Sequence, residues 1–180
     1  MILLKIYYGI IKPFLYKSIG RYHLSQIGAK GVNVVIHGPV TIHDYKNLSL
    51  GSHTRVGKNA FFMCNGGVEI GKNVQMSRNV IIYSTGHDYN GLAVPYDNNH
   101  KLAKVVIGDN VWIGMDVKIL PGVHIGEGSI IGMGTTVTKS VPPGSIVVGS
   151  GQRIVGSRDM NRYKELVKQN KLFGQMWPEL

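Results

Sequence analysis

The chain is poor in cysteine, poor in acid and free of long apolar runs. Cys64 is the one cysteine among 180 residues, which excludes an intramolecular disulfide, and a lone thiol fits a cytoplasmic setting. No basic segment followed by an apolar core and a small-residue cleavage site opens the chain, so a secretory signal is not expected. Acidic residues number 10 against 20 Lys and Arg. The deficit lies at the ends: residues 1–30 carry 5 basic side chains and no acid, residues 139–180 carry 7 against 3, and the stretch between carries 8 against 7. Basic ends suit an anionic lipid surface, a phosphorylated ligand or nucleic acid. Nucleic acid is not expected, because no aromatic-and-basic binding motif accompanies the charge.

Residues 2–22, ILLKIYYGIIKPFLYKSIGRY, are apolar but broken by Lys5, Lys12, Pro13, Lys17 and Arg21. A membrane-spanning helix needs about 20 consecutive mostly apolar residues. This stretch is therefore expected to form one or two short amphipathic helices. Two roles fit it: capping the end of the domain, and peripheral contact with anionic lipid on the inner face of a membrane.

With 43% hydrophobic residues over 180 positions, one domain with a sizeable core is expected. Its architecture is written in residues 107–137. There an aliphatic returns at every sixth position (Ile107, Ile113, Ile119, Ile125, Ile131, Val137), with Gly108, Gly114, Gly126 and Gly132 directly behind. A helix face would repeat near 3.6 and a half-buried strand near 2. A six-residue beat is the spacing of a hexapeptide β-helix, in which each repeat makes one short strand and one corner and three repeats close a coil. The same beat starts irregularly with Ile36, Ile42 and Leu48. It then slips by two residues to Leu50, Val56 and Phe62, and again to Ile70, Met76 and Ile82. The slips are expected at corners, where a bulge can leave the prism without turning inward residues outward. The count predicts about five coils and a prism about 24 Å tall.

Residues 1–33 are thus read as an N-terminal helical segment, residues 34–155 as the repeat domain and residues 156–180 as a C-terminal helix. Met160, Tyr163, Leu166 and Val167 share one face of that helix. The beat is interrupted once, over residues 83–106, by a loop holding His87, Asp88, Tyr89, Asn90, Pro95, His100 and Lys104. Long loops on rigid scaffolds usually carry function.

The run VVIGDNVWIGMDVKILPGVHIGEGSIIGMGTTVTKSVPPGSIVVG, preceded by STGHDY, resembles the hexapeptide-repeat acyltransferases over about residues 35–155. The likeness is greatest to maltose and galactoside O-acetyltransferases and to the sugar O-acetyltransferases of polysaccharide biosynthesis. It implies an all-β fold built on a left-handed parallel β-helix, a homotrimer with sites between subunits, and acetyl-CoA as acyl donor with no metal. His87 occupies the place of the family's general base. The chemistry agrees, since a sugar hydroxyl needs its proton removed as it attacks a thioester, and imidazole ordinarily titrates at about 6.5. Asp88 and Tyr89 beside it, and Asn65 in the preceding coil, match acceptor-side positions. Trp112 and Gly114 match the family's cofactor-side VWIG, and Met115 and Met133 match positions whose backbone meets the pantetheine arm. Thr138, Lys139 and Arg153 match residues near the nucleotide end. The sequence departs from the family where Gly149-Ser150-Gly151-Gln152 lacks the proline that usually precedes the arginine.

Three other readings stay open at this level. Transfer to an amine, on an amino sugar or an antibiotic, would use the same prism and histidine. A γ-type carbonic anhydrase shares the repeat but needs three histidines on zinc, and His100 and His124 are the only histidines after the catalytic position. A purely structural β-helix would not need the loop.

Overall fold

The computed structural model describes residues 1–88, 96, 98–149, 151–157, 159–172 and 175. In it the six-residue beat becomes a parallel β-solenoid with three flat faces. Face A stacks Ala29–Lys30, Leu48–Leu50, Val68–Ile70, Val105–Ile107 and His124–Ile125. Face B stacks Val35–Ile36, Arg55–Val56, Gln75–Met76, Trp112–Ile113, Ile130–Ile131 and Ser145–Val148, and face C stacks Thr41–His43, Phe61–Met63, Ile81–Tyr83, Lys118–Ile119 and Thr136–Val137. Face B reaches a sixth parallel strand, one more than the five coils expected. The chain continues past Val137 through Ser145–Val148 and then folds back antiparallel as Arg153–Ser157.

The core is a set of aliphatic columns. On face C, Ile42, Phe62, Ile82, Ile119 and Val137 stand in register, and all are buried. The two-residue slips lie at the corner from face C to face A, as expected: eight residues lead from Ile42 to Leu50 and from Phe62 to Ile70, whereas six lead from Ile119 to Ile125 in the same two columns. Face A takes two inward side chains from a strand where face C takes one, so that Leu48 and Leu50, Val68 and Ile70, and Val105 and Ile107 all point inward from positions two apart. Strand alternation with period 2 keeps both side chains on the buried face, and the two extra residues of the early coils are taken up at the corner, in the helical turn Tyr45–Asn47 and in the turn closed by the Gly67 N–H on the Cys64 carbonyl.

The repeat glycines answer to crowding between coils more than to bending. A Cβ on Gly114 would sit 2.6 Å from the backbone nitrogen of Met133 in the next coil, and one on Gly126 would sit 2.4 Å from that of Pro143. The left-handed corner positions are shared between glycines, such as Gly122, Gly128 and Gly134, and Asn or Asp, including Asn59, Asn73, Asn79, Asn110 and Asp116, whose short polar side chains tolerate that conformation. They also stack. Asn79 Nδ2 donates to Asp116 Oδ1 at 2.7 Å, and Asn73 Nδ2 donates to Asn110 Oδ1 at 2.8 Å.

Both ends of the solenoid carry helix. Helical backbone runs without a break through α1 (Ile2–Ile6), a π-helical turn (Tyr7–Ile11) and α2 (Lys12–Gln26). The π turn lies directly ahead of Pro13, whose ring cannot donate and crowds the carbonyl four residues back. α2 is anchored from Tyr16 onward, where the half-buried Tyr16 ring lies against Gly38. Gly20 packs on the Ile36 carbonyl, and the buried His23 ring meets the Tyr45 hydroxyl at 2.8 Å. No described helix is long and apolar enough to cross a membrane. At the other end, α3 (Met160–Lys168) is capped by Asp159, whose carboxylate accepts from the Asn161 and Arg162 backbone N–H groups. The hydroxyl of its buried Tyr163 accepts from Asn110 Nδ2 at 2.8 Å, which ties the helix to the asparagine ladder.

The junction of α2 with the prism predicts a pH dependence. Burial lowers the His23 imidazole below its ordinary range, and burial with the nearby Arg55 guanidinium does the same to His37. The unfolded chain takes up these protons near pH 6.5, whereas the folded chain resists them. Stability from this source is therefore complete above about pH 6.5 and is lost as pH falls through the depressed folded values. Melting temperature measured between pH 7.5 and 5 is expected to drop, and the drop to be shallower in a His23→Gln, His37→Gln protein. An identical slope in the two proteins would show that neither ring is the cause.

Candidate active site

The excursion leaves the prism at the corner that joins face C to face A. Thr85–His87 pairs antiparallel with His100–Leu102, placing His87 opposite His100. The hairpin root is sewn to the coils around it. Ser84 Oγ accepts from the Gly66 N–H at 2.9 Å, and the Ala103 carbonyl accepts from the Gly122 N–H at 3.0 Å. Lys104 is ion-paired with Glu69 on face A. The exposed His87 ring stacks on Tyr96, with centres 3.8 Å apart and planes 17° apart, and meets His100 at 4.6 Å. Stacking fixes the plane of the imidazole while leaving its nitrogens at the ring edge, where an acceptor can reach them.

The neighbours expected on the acceptor side are arranged differently from one another. Asp88 pairs with Lys101 Nζ at 2.8 Å across the hairpin, so its carboxylate braces the loop. Asn65 lies at the same corner one coil earlier. Its Nδ2 donates to Asp44 Oδ2 at 2.8 Å, and its carbonyl accepts from Asn47 Nδ2 at 3.4 Å. Tyr89 lies outside the described residues, as do Asn90 and Pro95. Cys64, next to Asn65, is fully buried, and burial with the Asp44 charge pushes its thiol up to about 12. It holds its proton at neutral pH and is no nucleophile.

The residues expected on the cofactor side fall into two groups. Trp112 stands on face B, 57% exposed, in register with Gln75 and Ile130. At the following corner, between faces B and C, Gly114 and Met115 lie under Met133 of the next coil. The Met115 carbonyl accepts from the Gly134 N–H at 2.8 Å, and Met133 is 68% exposed. Thr138 and Lys139 lie at the other corner, between faces C and A, above the hairpin. There Gln152, a residue whose importance the sequence did not signal directly, grips them. Its Oε1 accepts from the Thr138 and Lys139 backbone N–H groups at 2.8 and 2.7 Å, and its Nε2 donates to the Lys139 carbonyl at 2.6 Å. Gln152 holds φ +48° to do this, and Arg153 follows it on the outermost strand of face B. The departure from the family's proline was the one sign of this clasp. Tyr96 and His100, the stacking partners of His87, had no motif to mark them.

Within one chain, then, His87 and the corner with Met115 and Met133 are separated by the width of face C. Among the described residues, no three of His, Cys, Asp or Glu are grouped as metal ligands.

A three-faced parallel solenoid with a histidine-bearing hairpin at one corner is the architecture of hexapeptide transferases. Two family descriptions match the chain: "Bacterial transferase hexapeptide (six repeats)" over residues 104–139 and "Hexapeptide repeat of succinyl-transferase" over residues 47–84. A galactoside acetyltransferase solved with coenzyme A superposes with TM-score 0.71 at 30% identity, covering 79% of this chain and 71% of that one. The maltose O-acetyltransferase of Clostridium difficile 630 superposes with TM-score 0.67 at 26% identity, covering 83% and 88%. The galactoside O-acetyltransferase of Escherichia coli K12 is 33% identical over 144 residues, 74% of this chain and 66% of that protein. A Staphylococcus aureus protein with an acetyltransferase name is 39% identical over 130 residues, and the match spans only 63% of its length. The chain belongs to the hexapeptide-repeat acetyltransferase family.

Proposed function

We propose that the protein is an acetyltransferase that moves an acetyl group from acetyl-CoA to a hydroxyl of a sugar or glycan precursor, at a site built by two chains of a homotrimer. The observation that carries this reading is the separation just described. The candidate base stands at one corner of the prism, whereas the exposed Trp112 stands on face B and the half-buried Met115 and exposed Met133 stand at the corner after it, and a neighbouring prism would bring the two sets together. Coenzyme A in the galactoside enzyme and the acetyl acceptors named for the relatives support the substrate class. A lone, buried thiol goes with a cytoplasmic setting.

In this reading His87 takes the acceptor's hydroxyl proton as that oxygen attacks the thioester carbonyl. The imidazolium then returns the proton to the departing thiolate, leaving an acetyl ester and free coenzyme A. The exposed faces of Trp112, Gly114, Met115 and Met133 would hold the pantetheine arm. Lys139 and Arg153 supply cations for phosphate, and Gln152 keeps the Thr138–Lys139 backbone in one conformation.

Release of coenzyme A thiol, measured against a panel of hydroxyl and amino sugars, tests the proposal. Turnover with at least one hydroxyl sugar is expected. Turnover confined to amino sugars would replace the hydroxyl with an amine as acceptor, and thiol release no faster than water hydrolysis with every sugar would reject acetyl transfer to sugars. In the active combination, Lys139→Ala, Arg153→Ala and Gln152→Ala should each raise the acetyl-CoA KM about tenfold with kcat nearly unchanged, as follows from losing a contact shared by ground and transition states.

A further inference from the structure

The first half of the N-terminal helix and the cavity at its root lie outside the candidate active site. None of the side chains of residues 1–11 is buried, and Leu3, Ile10 and Phe14 are 81, 67 and 68% exposed. So much contiguous apolar surface marks a contact site. Where α2 reaches the prism, a cavity of about 320 Å³ is lined by Tyr16, Lys17, Arg21, His37 and Arg55. Among the described residues no carboxylate lines it, and the first acidic residue in the chain is Asp44. The Arg55 side chain is more than nine-tenths buried there. Two further cations flank it, since the Lys12 and Lys58 ammonium groups lie 5.6 and 5.9 Å from the Tyr16 ring centre.

We propose that this cavity binds the phosphate of an anionic lipid headgroup, with residues 2–15 lying in the interface of the same membrane. Guanidinium groups match phosphate oxygens in pairs. A helix that is apolar, basic and free of acid, with exposed Tyr7 and Tyr8, has the composition of an interfacial helix. A second copy of the chain is a poorer occupant of this surface, because each copy would bring Lys5, Lys12, Lys17 and Arg21 against the same cations with no acid between them. Free phosphate would satisfy the cavity but leave Leu3, Ile10 and Phe14 in water. The proposal does not depend on the acetyl-transfer reading.

Flotation of the full chain at low salt with phosphatidylcholine vesicles, with and without phosphatidylglycerol, decides it. Capture is expected only with the anionic lipid. Lys17→Gln with Arg21→Gln should weaken capture about 30-fold, roughly fivefold per basic residue removed, at unchanged melting temperature, since both side chains are exposed. Leu3→Asp with Ile10→Asp should also abolish capture while leaving the sedimentation mass unchanged. Equal capture by neutral vesicles, or full capture by the Lys17→Gln, Arg21→Gln protein, would overturn the headgroup site. Titration with inorganic phosphate separates the two phosphate sources: saturation by phosphate without vesicle capture would overturn the lipid assignment. A lower mass for the Leu3→Asp, Ile10→Asp protein would assign the helix to contacts between copies and overturn the proposal as well.

Discussion

His87→Ala is expected to lower acetyl transfer about 10²–10⁴-fold, the usual contribution of a positioned general base, while leaving fold, oligomer and acetyl-CoA affinity in place. The side chain is exposed at the tip side of a hairpin whose register is set by backbone pairing of Thr85 with Leu102 and by the Asp88–Lys101 ion pair. Removing the ring deletes a stacking partner of Tyr96 and His100 but leaves no aliphatic column short of a side chain. The effect should therefore appear in kcat and not in melting temperature. His100→Ala is the informative control, because it removes a neighbour that steadies the ring and spares the proposed base; its loss should be smaller. If the His87→Ala protein keeps more than about a tenth of wild-type kcat, His87 is not the base, and His100, 4.6 Å away, becomes the candidate.

The second large effect is a recovery of activity. His87→Ala disables one corner, and Met133→Trp, at a position 68% exposed and free to accept bulk, blocks the other. Each protein alone should be nearly inactive. When the two are unfolded and refolded together, a site shared between chains is intact wherever a chain with His87 abuts a chain with Met133. Random assembly into a ring of like interfaces then restores about one site in four. A site contained within one chain predicts no recovery, because every chain carries one defect. Activity in the co-refolded sample that stays at the level of the separate proteins would place the whole site in a single chain and remove the need for a trimer.

The repeat domain was legible in the sequence because its core is periodic along the chain. The sixfold return of Ile107, Ile113, Ile119, Ile125, Ile131 and Val137 needs only local chain geometry to become a column, and each of these residues is buried. The amphipathic C-terminal segment was legible for the same reason, with Tyr163 turned inward on α3. The two-residue slips were legible as corner insertions, and the structure places them between faces C and A. Inward positions six apart and two apart coexist on face A, and only strand pairing shows that Leu48 and Leu50 lie on one strand. The sixth strand of face B was not legible, because residues 145–148 fall outside the six-residue beat and are recruited by pairing with Ile130–Ile131. The uninterrupted helical backbone from Ile2 to Gln26 was hidden by Pro13, whose cost is absorbed by the π turn.

By itself, then, the sequence determined what depends on spacing along the chain: the hexapeptide prism, its single interruption, and the histidine that the interruption carries. Tertiary structure decided what depends on which coils stack and which corners they share. It set His87 between Tyr96 and His100 contacts, and gave Asp88 to Lys101. It closed Gln152 over Thr138 and Lys139, and left Trp112 and Met133 exposed a face away from the histidine. The physical reason is that hydrophobic periodicity is a one-dimensional signal that burial reads directly. Hydrogen bonds, ring stacking and ion pairs join residues by distance in space, and those distances exist only once the coils are stacked.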